Sequence, residues 1–125
     1  MSSQNWKLDV IDKAERNAKF ESSGQCAKYV REAIQKAKRK ELKPAGINSA
    51  KDFGPFLQSE GYTLTNKNFD SAKPGSIAIF EGNVQHPHGH IQILGNNNVW
   101  ISDFVQRRSI PWKSNENVPP YKIYE

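Results

Sequence analysis

The side chains best suited to nucleophilic or acid–base chemistry are the single cysteine, Cys26, and three clustered histidines, His86, His88 and His90. A thiol attacks as its thiolate, and a helix start favours that form through unsatisfied N–H groups and the helix dipole. Cys26 stands at such a place. In "SSGQCAKYVREAIQKA" the residues Cys26, Tyr29, Val30, Ala33, Ile34 and Ala37 repeat at helical spacing, which predicts a helix from about Gln25 to Lys40 capped by Ser22 or Ser23. A lone helical cysteine is usually a small buried hydrophobe. The first-turn position, the small polar approach "SSGQ" and a histidine at a strand start together favour a Cys/His pair instead.

His90 is the histidine a rigid element would hold. It follows Gly89 and opens the alternating run "HIQIL", whereas His86 and His88 flank Pro87 in a loop. Gly89 carries no side chain, so a substrate or the cysteine helix can come close beside it. The i, i+2, i+4 spacing of the three histidines also suggests a metal site. Pro87 and Gly89 argue against a regular strand there and no fourth ligand is near, so no metal and no cofactor are expected. A histidine base is commonly oriented by a third polar group. Asp103, inside the apolar segment "VWISDFV", is the expected partner, with Ser102 or Gln92 as substitutes.

The elements that must position these groups change type midway. Trp6 to Phe20 has a helical stripe of Trp6, Val10, Ala14 and Ala18, and a shorter third helix is predicted through "SAKDFGPFLQSE", opened by Asn48 or Ser49 and closed near Gly61. Beyond it, "KPGSIAIF", "GHIQIL", "VWISDFV" and "YKIYE" read as a turn and then strands, with "GNNN" as a tight turn. Helices followed by an antiparallel meander predict one α+β domain over residues 1–125, its helices packed on one face of a small sheet.

Composition narrows the function classes. Eighteen Lys and Arg against 13 Asp and Glu leave a net charge of +5, which suits acidic surroundings. The densest basic run, "KAKRKELK" (36–43), has no interleaved aromatic residues, so nucleic-acid binding is not expected. No apolar run is long enough to span a membrane, and the first twenty residues lack the apolar core of a signal peptide. One cysteine cannot form an internal disulfide.

Taken in order, "GQC" at 24–26, the turn Pro74-Gly75-Ser76 before "IAIF", "GHIQIL" and the polar residue in "WISDF" make the chain resemble the papain-like cysteine amidases of the CHAP type, which cut peptidoglycan stem peptides. The resemblance implies a papain-like α+β fold, Cys26 as nucleophile paired with His90, and Asp103 as third member. It also implies a pocket formed by Gly24, Gln25, Gly89 and Ser102. It departs from the family pattern at Val105, where an Asn is frequent. A small amidase without an export signal looks like the effectors that type VI secretion delivers into the periplasm of rival bacteria. Phage endolysins are the similar second group. The resemblance thus implies action on peptidoglycan in a target cell, or on the host wall for an endolysin; a monomer is expected, and the basic charge suits an acidic immunity protein that plugs the site. A non-catalytic basic module binding a polyanion is the reading from a different class.

Overall fold

The computed structural model describes residues 5–18, 25–42, 47, 49–84, 86–106, 109–110 and 119–125. Within them the order is α1 (Asn5–Asn17), α2 (Cys26–Lys38), a 3-10 turn (Ala50–Asp52), α3 (Gly54–Ser59), β1 (Ile77–Phe80), β2 (His90–Leu94), a second 3-10 turn (Asn96–Asn98), β3 (Trp100–Ile101) and β4 (Tyr121–Tyr124). The α+β class is the one expected from the sequence.

The helical stripe of α2 does what its spacing requires. Val30, Ala33 and Ile34 are buried and join Val10 and Ala14 of α1 over Ile91 and Ile93 of β2. Fully burying an aliphatic side chain of that size contributes about 1.5–3 kcal/mol, so this contact among three elements is a main source of stability. Period two in the strands divides the faces. Ile77, Ile79, Ile91 and Ile93 face the helices, while Ala78, Leu94, Trp100 and Ile123 face outward under Phe69, Ala72 and Tyr121. The C-terminal ends of α2 and α3 are tied by Lys38, whose ammonium donates to the Glu60 carboxylate at 2.7 Å and lies 4.5 Å from the Trp6 ring centroid.

The strand order is β3-β2-β1-β4, with every pairing antiparallel. β1 to β3 form the expected meander, but β4 crosses to the opposite edge and pairs with β1, so the meander does not extend to the fourth strand. Both sheet edges are covered. Thr63 and Thr65 donate to Glu125 and Ile123 along β4, and Val105 bridges back to Ile101 beside β3.

Other differences have local causes. The third helix is split at Phe53, because Pro55 lies at the start of a new helix and its missing N–H is harmless only there. The cap of α2 is the backbone of Gln25, which makes no side-chain capping bond; Ser22 and Ser23 lie outside the described residues, as does Asn48. The turn Lys73–Ser76 closes by a Ser76 N–H to Lys73 carbonyl bond of 3.0 Å, with Gly75 at φ +96°, as a Pro-Gly turn demands. The segment 99–105 is not one strand. It folds back at Ser102–Phe104, where the Ser102 N–H donates to the Phe104 carbonyl at 3.0 Å, and the Gln106 N–H then reaches the Trp100 carbonyl at 2.9 Å.

Candidate active site

The shortness of β3 creates the site. Leu94 exchanges backbone bonds with the β1 side, donating to Ser76 and accepting from Gly75. In an antiparallel ladder the odd residues of β2 therefore turn their backbone toward β3. Ile93 finds Ile101 there, but β3 has ended before it reaches Ile91. The start of α2 fills that gap, and the backbone N–H of Ile91 bonds the Cys26 sulfur. The nucleophile candidate thus meets β2 one residue from His90, packed against the main core and half-buried.

The turn after β3 closes the same gap from the other side. Asp103, 1% exposed, accepts the backbone N–H of Gln25 at 3.3 Å and the Ser102 hydroxyl at 3.2 Å. A carboxylate there satisfies one of the four orphan N–H groups at the helix start. Its charge acts on both neighbours, pushing the Cys26 thiol up and supporting a protonated His90.

His90 is buried at the start of β2, its ring 5.8 Å from that of Phe80. Its Nε2 lies 2.9 Å from Oε1 of Gln106, whose Nε2 donates to Gln92 Oε1 at 2.8 Å; Gln92 in turn donates to the Ser109 carbonyl at 2.7 Å. Gln106 escapes a sequence reading, because it follows the strand-like run and becomes a neighbour of His90 only through the fold-back at Ser102–Phe104. Ser102 serves Asp103 and not the imidazole in the bonds described.

Burial dominates the titration of the pair. It pushes the thiol up and the imidazole down, against the opposing help of the Ile91 N–H for the thiolate and the Gln106 hydrogen bond for the imidazolium. These directions favour a neutral resting pair, thiol and imidazole, over a preformed ion pair.

The remaining site expectations fall out separately. Gly24 lies outside the described residues. What approaches Gly89 is the 50–52 turn: an added Cβ would stand 2.9 Å from Lys51 Cβ and 2.3 Å from the Phe80 carbonyl oxygen, and φ is +72°. His88 bonds the Ser49 hydroxyl through Nδ1 at 2.6 Å, while His90 is held by Gln106. Among the described residues no group of three His, Cys, Asp or Glu could hold a metal ion, and no helix is long and apolar enough to cross a membrane.

No protein-family model and no curated protein matches the chain. Two solved structures do. The native type VI effector–immunity complex Tae3–Tai3 of Ralstonia pickettii matches at 32% identity and a TM-score of 0.79, over 95% of this chain and 97% of that one. The selenomethionine form of the same complex matches at 31% identity and 0.77, over 94% and 99%. An α+β chain with this helix-and-sheet arrangement, alike in fold over 95% of its length and 32% identical there, belongs to the Tae3 family of type VI effectors.

Proposed function

We propose that this effector is a peptidoglycan amidase that hydrolyses an amide of the stem peptide or of its cross-link, with Cys26 as nucleophile and His90 as general base. The observation that supports it most is the Cys26 sulfur held at the backbone N–H of Ile91, one residue from an imidazole fixed by Gln106.

In this reading Cys26 Sγ attacks the scissile carbonyl carbon while its proton passes to His90. The oxyanion is held by backbone N–H groups at the start of α2, that of Cys26 foremost. Collapse breaks the C–N bond, and His90 returns the proton to the departing amine. Water, deprotonated by His90, then attacks the thioester, releasing the carboxylic acid and the thiol. Asp103 acts through its neighbours, its charge stabilising the imidazolium formed in the first step and its carboxylate pinning the start of α2. Gln25, exposed beside the thiol, and Ser102, which steadies Asp103, complete the surroundings. The solved relatives are effector–immunity complexes, which supports an immunity protein as partner. The net charge of +5 suits an acidic one.

Digestion of purified Gram-negative sacculi tests the reading, with products resolved by mass. Wild type is expected to release new stem-peptide fragments, whose masses distinguish the D-Glu–diaminopimelate amide from the diaminopimelate–D-Ala cross-link. Cys26→Ala and His90→Ala are expected to lose at least about 10³-fold in rate. Unchanged cutting by Cys26→Ala, or none by wild type, rejects it, and a basic module binding polyanions then leads.

A further inference from the structure

A chain of three hydrogen bonds runs from His90 to a backbone carbonyl, and its polarity is set at the far end. A carbonyl oxygen only accepts, so the Gln92 group 2.7 Å from the Ser109 carbonyl is the NH₂ group. The Gln92 oxygen therefore faces Gln106, and the group it meets at 2.8 Å is the Gln106 NH₂. That leaves the Gln106 oxygen toward His90, 2.9 Å from Nε2, where only a protonated ring nitrogen completes the bond. Each link forces the next. All three side chains are buried, Gln92 at 0% exposure, Gln106 at 5% and His90 at 7%, and reversing any amide would set like groups against each other in a site that excludes water.

We infer that Gln92 is a positioning residue for the reaction: by fixing which way the Gln106 amide faces, it fixes the proton on His90 Nε2 and makes Nδ1 the basic nitrogen of the neutral ring. This rests on the proposed amidase reading for its kinetic consequence, but not for the tautomer itself. Gln92 lies two residues from His90 on the same outward strand face, where a polar group is otherwise out of place beside Leu94 and Trp100.

The test uses the full chain labelled with ¹⁵N-histidine, its three imidazoles separated by His86→Gln and His88→Gln. At pH 7.5 wild-type His90 is expected as a single tautomer protonated at Nε2. Gln92→Met, close in shape and without an amide, is expected to give a tautomer mixture and a kcat about 10-fold lower or more, with KM nearly unchanged. In a Gln106→Glu background the same change is expected to cause no further loss, because a carboxylate accepts at either oxygen and has no wrong orientation. If Gln92→Met fails to fold, Gln92→Leu, which likewise offers Gln106 neither donor nor acceptor, is the second variant, with the same expected mixture. A single Nε2–H tautomer in the folded Gln92 variant overturns the inference. So does an equal loss of kcat in both backgrounds, which marks Gln92 as part of the packing alone. A wild type that cuts no sacculus sinks the amidase reading, and the tautomer then decides the relay by itself.

Discussion

At the scale of single residues the site is a contest between burial and a few directed dipoles. Cys26 is pushed toward the thiol by desolvation and by the Asp103 charge, and His90 toward the neutral ring by desolvation. In the proposed mechanism Asp103 acts in opposite directions through the two groups, since it disfavours thiolate but favours the imidazolium that must form. Asp103→Asn keeps an acceptor for the Gln25 N–H and removes the charge. Its iodoacetamide alkylation profile is expected to shift to lower pH, because the charge that raised the thiol is gone. The acid limb of kcat/KM is expected to move down as well, because the imidazolium loses its support. An unchanged alkylation profile would show that the Asp103 charge does not reach the sulfur.

At the scale of elements, the parts legible in the sequence are those where one pattern ran unopposed. The i, i+3, i+4 spacing of Val30, Ala33 and Ile34 gives α2, and the alternation of "HIQIL" gives β2, so the placement of Cys26 at a helix start and of His90 at a strand start could be read directly. Other features depend on pairing that no local pattern carries. The turn at Ser102–Phe104 has neither Gly nor Pro, so the fold-back that ends β3 and delivers Gln106 is marked only by the weaker turn formers Ser102 and Asp103 inside an apolar run. The crossing of β4 to the β1 edge is likewise a choice among partners. Gly89 was legible as a special position, but its tightest neighbours are the Phe80 carbonyl and the 50–52 turn. Gly89→Ala is expected to cost about 1–2 kcal/mol from the left-handed backbone alone, before any clash, read as a lowered urea midpoint. A wild-type midpoint would show that the left-handed backbone at position 89 carries no such cost.

For the whole molecule, the same two groups set a window of stability. A His90 pKa held below its ordinary 6.5 means that the unfolded chain binds more protons just below that pH, so stability is full above about 6.5 and falls as the solution is acidified. A Cys26 pKa raised above 9.0 works in reverse, the unfolded chain losing its proton first, so stability declines as pH rises through 9. Urea midpoints are expected to be level between about pH 7 and 8.5 and to drop toward pH 5.5, with a shallower acid drop in His90→Gln. Equal acid slopes in the two proteins would assign the drop to other groups.

The covered sheet edges decide how another chain can take hold of this one. With residues 63–65 laid along β4 and Val105 returning beside Ile101, the described sheet offers no open row of main-chain donors and acceptors at either side. Direct strand addition to β3 or β4, a frequent way for one protein to capture another and for sheets to aggregate, meets chain already in place at both described edges. These edges leave side chains and loops as the readier surface for an inhibitor of this effector, where a few substitutions can change the partner without disturbing the fold.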